Sequence, residues 1–253
     1  MRLSHPLDAS TSTRLSAMKL PLAFAFAFLT PAMSAANLPV IPSADDSGFA
    51  PIFDGRTLTD WDGDPTYWRV EDGHLVGEIT PETLVKRNTF IIWRGGTPAD
   101  FELKLDYRVT PRGNSGINYR SIQLTDAPWS LAGYQADIDN ADRWIGQNYE
   151  ERGRTFLAYR GQMVRVTEHG QPQLLASLGD PDALAAHVKP DDWNSYHLII
   201  RGNVLTHIVN GHVMSIVIDD DPKNRRLDGL IGVQVHVGPP MKIQYRNIRL
   251  KTL

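Results

Sequence analysis

The feature that most constrains this chain is the strict alternation from Phe101 to Val109. Phe101, Leu103, Leu105, Tyr107 and Val109 stand on one side, and Glu102, Lys104, Asp106 and Arg108 on the other. A period of two is the signature of a strand with one buried face, whereas a helix would need apolar residues three and four apart. Short runs of this kind recur along the chain, each bounded by Gly, Pro, Asn or Asp. Residues 68–71 and 74–79 flank Asp72-Gly73, a hairpin signal. Further strands are expected at 89–93, 116–123, 134–139, 155–158 and 163–168. Residues 195–201, 204–209 and 212–218 follow through the turns Gly202-Asn203 and Asn210-Gly211, and 230–237 and 242–251 close the chain. One helical signal stands out, from Pro181 to His187, with Asp180 placed to cap it. This pattern predicts an all-β fold, a sandwich of antiparallel sheets with at most one or two short helices.

The N-terminus reads differently. Lys19 precedes an apolar run, 20–29, that is too short to cross a bilayer, and the small residues Ser34-Ala35-Ala36 follow it. Residues 1–36 therefore read as a secretory signal peptide, with Met18 as the expected true start. Residues 37–47 form an extended lead-in and 48–253 a single domain. The expected location is the periplasm or the medium, where disulfides are the usual staple of small exported domains. Cysteine is absent, which excludes disulfides, thiolate metal sites and a Cys nucleophile. A formal charge of −3 over 253 residues offers no basic field for nucleic acid. No membrane span is expected, and nothing in the sequence sets an oligomeric state.

Alternation also tells which polar side chains share a surface. In 116–121, Ile117 and Tyr119 take the core side and Asn118 and Arg120 the other. In 133–139, Tyr134, Ala136 and Ile138 are the core set, and Gln135, Asp137 and Asp139 project oppositely. In 231–237, Gly232, Gln234 and His236 face away from four β-branched residues. Solvated strand faces are polar in any case, but usually with Lys, Glu and Thr. A face of Asn, Arg, Gln, Asp and His is suited to hydrogen bonding with sugar hydroxyls. The charged segment Glu150-Glu151-Arg152-Gly-Arg154 reads as a solvated loop, with Tyr149 and Glu150 placed to rim a pocket.

Several motifs carry a family resemblance. Phe53-Asp-Gly-Arg-Thr-Leu58 with Trp61, Trp68-Arg-Val-Glu-Asp-Gly73 with Leu75-Val-Gly77, and 100–108 resemble segments of the 3-keto-disaccharide hydrolase domain family. So do Gly113-Asn-Ser-Gly-Ile117 with Arg120, Gly133-Tyr-Gln-Ala-Asp-Ile138, Trp193-Asn-Ser-Tyr196, Arg201-Gly-Asn203, and His207 with Asn210-Gly211. Gly232 with Gln234 and His236, and Arg246-Asn-Ile-Arg249, complete the set in family order over about 48–252. The resemblance implies a concanavalin-like jelly-roll sandwich of two curved antiparallel sheets with a carbohydrate site on the concave one. It also implies cleavage of glycosides or disaccharides already oxidised to a ketone at C3.

A C3 ketone acidifies the C2 hydrogen, so a base can remove it and the C1 substituent can leave, after which water adds. Such a site needs a base, a group polarising the ketone, and an acid for the leaving oxygen. His236 is the first candidate base and Asp137 the second, with Arg120 expected to stabilise the enolate. Asn118, Gln135, Asp139, Gln234, Tyr149 and Glu150 are the expected substrate contacts. Two readings compete. Asp137 and Asp139 have the spacing of an ordinary two-carboxylate glycosidase motif, and the domain could be a lectin-like binding module without catalysis. No cofactor is expected and no metal-ligand spacing occurs, although backbone carbonyls holding a divalent ion leave no trace in sequence.

Overall fold

In the computed structural model, which describes residues 46–140 and 143–253, alternation becomes layers. Two short bridges open the chain, β1 (Ala50–Pro51) and β2 (Trp61–Asp62). The expected hairpin follows as β3 (Trp68–Glu71) and β4 (His74–Ile79), then β5 (Thr89–Trp93) and β6 (Phe101–Val109). Next come β7 (Asn114–Gln123), β8 (Leu131–Asp139), β9 (Asn148–Glu151), β10 (Thr155–Ala158), β11 (Gln162–Val166) and β12 (Pro172–Ser177). After the helix α1 (Pro181–Ala185) the chain ends with β13 (Asn194–Arg201), β14 (Val204–Val209), β15 (His212–Asp219), β16 (Leu230–Val235) and β17 (Met241–Thr252). Asp180 caps α1 as expected, its side chain accepting from the Asp182 and Ala183 amides. The expected leader, and the lead-in up to residue 45, lie outside the described residues.

The larger sheet runs β12-β11-β15-β14-β13-β6-β17-β4-β3, with β1 added beside β17, and the smaller runs β10-β9-β8-β7-β16-β5-β2. All pairings are antiparallel except β11 with β15. The result is a jelly-roll sandwich. The apolar sides of β6, β13 and β17 meet those of β7, β8 and β16 in one shared core. Both sides of β8 are buried along its whole length, because loops roof part of its outer face.

Two departures from the expected pattern shape the site. Glu150 and Glu151, read in sequence as the start of a solvated charged loop, instead end strand β9, which pairs with both β8 and β10. The charges are tolerated because they are answered internally: Glu150 takes three hydrogen bonds from Arg154 at 2.7–3.1 Å. The second departure is a bulge in β7, where the register with β8 shifts between Tyr119 and Ile122 and Arg120 adopts φ 46°. A bulge breaks the two-residue period, so the residue expected to point outward can turn inward.

Candidate active site

Six strands or their ends converge on a cavity of about 250 Å³ on the outer face of the smaller sheet. Gln135 and Asp137 enter from β8, Asn114 from the start of β7, and Tyr149 and Glu151 from β9. Phe156 enters from β10, while His236 lies just beyond β16, Asn88 just before β5, and Trp144 on the β8–β9 connection. Of the expected site residues, His236, Asp137, Gln135 and Tyr149 thus meet. Gln234 does not line the cavity but reaches it through a neighbour: its amide donates to Gln135 at 2.9 Å, and the Gln135 amide donates to Asp137 at 2.8 Å. This relay crosses β7 at Gly116, where a Cβ would stand 2.6 Å from the Gln135 side chain. Glycine is required there for passage, not for backbone freedom.

Other expectations need correction. Arg120 is not at the site. The bulge carries it to the inter-sheet side, where it is fully buried and donates to the carbonyls of Ala99, Gly202 and Arg226 and to the Asp100 carboxylate. It ties β7 to the β13–β14 turn and cannot stabilise an enolate. Glu150 is likewise turned away from the cavity and held by Arg154, which also bonds Asp219. Asp139 accepts from the backbone amides of Arg143, Trp144 and Ile145 at 2.8, 2.7 and 3.1 Å. With three donors fixing it, Asp139 cannot pair with Asp137 as a second catalytic carboxylate, and its work is to hold the loop that presents Trp144. Asn118 is fully buried opposite Gln135 and Gly232, away from the cavity, and neither atom of its amide has a protein partner.

Sequence reasoning missed Asn88, Asn114, Trp144, Phe156 and, most consequentially, Glu151. Asn88 donates to both Glu151 oxygens at 3.4 Å and accepts from the Val237 amide at 2.9 Å, which binds β9 to the residue after His236. Trp144, Phe156 and Tyr159 stack in series, with centroids 5.3 and 5.1 Å apart, and Tyr149 meets Phe156 edge-on at 5.0 Å. These rings make one wall of the cavity apolar.

Burial sets the protonation of the groups that remain. It pulls the His236 imidazole below its ordinary pKa, so the ring is neutral. Burial pushes the Asp137 carboxyl well above its usual range, against the hydrogen bond from Gln135 and with the help of the Asp139 and Glu151 charges. Glu151 is raised as well, chiefly by burial. Burial therefore favours the uncharged form of all three groups and narrows the gap that separates a carboxyl from an imidazole in water. Among the described residues no group of three or more His, Cys, Asp or Glu converges to hold a metal ion, and no helix is long and apolar enough to cross a membrane.

The model of the 3-keto-alpha-glucoside-1,2-lyase-like domain family matches residues 48–251. The chain belongs to that family. A member-like curated relative, the 3-keto-disaccharide hydrolase of Bacteroides thetaiotaomicron, is 28% identical over 123 residues, covering 46% of this chain and 41% of its own length. This chain therefore spans under half of that relative. Among solved structures, a candidate glycosyl hydrolase from Parabacteroides distasonis is similar, with TM-score 0.53 and 18% identity over 81% of this chain and 94% of its own. A Bacillus subtilis protein with a galectin-like fold gives TM-score 0.50 and 15% identity, over 78% of this chain and 92% of that one. At these identities the likeness establishes the family's sandwich fold and leaves the chemistry to the cavity.

Proposed function

We propose that this protein cleaves 3-keto-glycosides by elimination followed by hydration, with His236 as base. The observation that carries the reading is the meeting of His236, Asp137 and Glu151 on one cavity where burial favours the uncharged form of each: an imidazole that can accept a proton, next to carboxyls that can donate one. Membership of a family described as 3-keto-alpha-glucoside-1,2-lyase-like supports the substrate class, as does the name of the Bacteroides relative.

The balance of the reaction assigns the groups. His236 takes the C2 proton, and the electron pair moves into an enolate on the C3 oxygen. Asp137, protonated and steadied by Gln135, donates a hydrogen bond to that oxygen, as an oxyanion donor must. The pair then returns to form the C1–C2 double bond as the C1–O bond breaks, and Glu151 protonates the departing oxygen. Water next adds at C1, giving a proton to Glu151, while the His236 imidazolium returns its proton to C2. The products are the free 3-keto-sugar and the aglycone, with every group restored.

Solvent-exchange kinetics test this sequence. Wild-type protein in D2O should exchange the C2 hydrogen of a 3-keto-disaccharide and cleave it. His236→Gln should lose both activities by about 10²- to 10⁴-fold, the usual worth of a general base. Glu151→Gln should keep C2 exchange but cleave slowly, and recover when the leaving group is an acidic phenol that needs no proton. Full cleavage by His236→Gln would sink the assignment.

A further inference from the structure

A second cleft, of about 470 Å³, lies beside the polar cavity and shares Asn88 with it. Its character is different. Tyr67, Leu84, Val85, Ala127, Pro128 and Trp129 supply half of its lining residues. Of its four charged members, Lys86, Arg87 and Asp126 are exposed to solvent and Asp64 is half-buried, and Arg87 and Asp126 face each other at 3.9 Å. Leu84 stands 55% exposed at the edge of the cleft, a large apolar side chain open to water beside a candidate catalytic site.

The Trp129 wall is fixed in place. Its backbone holds φ 53°, a conformation uncommon for a bulky residue. Its carbonyl accepts from the Phe90 amide at 2.9 Å, and its indole N–H donates to Asp62 at 2.7 Å. Strain kept by surrounding contacts is common at ligand sites. Several polar atoms around this wall are already committed: the indole N–H to Asp62, the Asn88 amide to Glu151, the Asn88 carbonyl oxygen to Val237, and Asp64 Oδ1 to the Thr66 amide. A second sugar ring pressed here would lose water from several hydroxyls and find few partners, a costly exchange. A flat apolar ring would lose nothing polar and would gain contact with Trp129, Tyr67 and Leu84.

We infer that this cleft is the leaving-group subsite, and that it selects an uncharged aryl aglycone over a second sugar. The inference rests on the proposed cleavage of 3-keto-glycosides, with the keto-sugar in the polar cavity and Asn88 at the scissile junction. Glu151, bonded to Asn88, then stands on the side from which the aglycone leaves.

Two measurements on the whole protein, wild type and Leu84→Ser, test it. Leu84 is exposed and remote from the core, so the variant should fold. The first is kcat/KM on a 3-keto-β-glucoside of 2-naphthol against a 3-keto-disaccharide. Wild type should favour the naphthyl substrate by about tenfold, through KM, beyond the gain a methyl 3-keto-glucoside and a phenyl one establish for leaving-group acidity. Leu84→Ser should lose about fivefold on the naphthyl substrate, the scale of one partly buried aliphatic contact, and lose less on the disaccharide, whose polar second ring gains less from an apolar wall. The second is calorimetric titration with 2-naphthol alone, which needs no turnover. Wild type should bind it, and Leu84→Ser several-fold more weakly. No preference for the aryl substrate, or naphthol binding that is absent or indifferent to Leu84, overturns the inference even if cleavage stands. Naphthol binding lost on Leu84→Ser without turnover of any 3-keto-glycoside would keep the apolar subsite and overturn the proposed reaction instead.

Discussion

At the scale of single residues, the cavity works through what burial does to three ionisable groups. In water a carboxyl loses its proton long before an imidazole does. Here the carboxyls of Asp137 and Glu151 are raised and the imidazole of His236 is lowered, each mainly by removal from solvent. A base must be deprotonated, so kcat/KM should rise with pH through the His236 pKa, on the acidic side of its ordinary 6.5. An acid must be protonated, so the rate should fall again once pH passes the raised pKa of Glu151. The expected profile is a bell whose acid limb lies below that of an exposed histidine. In Glu151→Gln, assayed with an acidic phenol leaving group, the alkaline limb should move away while the acid limb stays. An acid limb at or above 6.5, or an alkaline limb untouched in that variant, would contradict the assignment.

At the scale of elements, strand periodicity revealed the sheets and part of the site. β6 is exposed in its spacing because one face is buried and the other half-solvated, so its residues alternate in chemistry as well as in space. The same rule brought Gln135, Asp137 and His236 together, since β8 and β16 keep their period up to the cavity. It failed where the period breaks or both faces are covered. The β7 bulge turned Arg120 inward, and nothing in Asn-Tyr-Arg-Ser marks that bulge. β9 carries Glu150 toward Arg154 and Glu151 toward the cavity. Adjacent acids with opposite duties look in sequence like one solvated patch. Two glycines separate what the elements contribute. The nearest atoms to an added Cβ at Gly116 belong to the flexible Gln135 side chain, whereas at Gly229, with φ 143°, they are β7 backbone at the bulge at 2.6–2.7 Å. Gly116→Ala should therefore fold with a loss of about 1 kcal/mol but displace the Gln135 relay, cutting kcat/KM about tenfold. Gly229→Ala should cost more stability, about 2–3 kcal/mol, because backbone cannot step aside. Urea melts and steady-state rates on the two variants decide this, and equal activity in Gly116→Ala and wild type would remove the relay from the mechanism.

At the scale of the whole molecule, a sandwich without disulfides is joined across its core by polar side chains as well as by apolar packing. Ser115 on β7 meets the Tyr245 hydroxyl on β17 at 2.7 Å, and Tyr134 on β8 donates to Asp219 at the end of β15. Tyr119 on β7 lies 2.9 Å from His207 Nε2 on β14, and His207 Nδ1 faces the Gln147 carbonyl at 3.3 Å. That carbonyl can only accept, so Nδ1 carries the proton and Nε2 accepts from Tyr119. Such a ring has no room for a second proton, and full burial lowers its pKa from 6.5 to about 3. In the unfolded chain His207 takes a proton as pH drops below about 6.5, while the folded protein refuses it until about 3. The unfolded state then binds more protons, so this residue's contribution to stability falls on acidification by roughly 1.4 kcal/mol per pH unit within that window. The raised carboxyls of Asp137 and Glu151 act in the opposite direction, since the folded state holds their protons more tightly than the unfolded one. The bare pH-stability curve therefore mixes the two, and a difference between variants separates them. The stability gap between wild type and His207→Gln, from urea unfolding at intervals from pH 7 to 4, should hold steady above 6.5 and shrink steadily below it. A gap that keeps its size across the range would mean that His207 takes up a proton inside the folded sandwich, and that the tyrosine link between the sheets survives it.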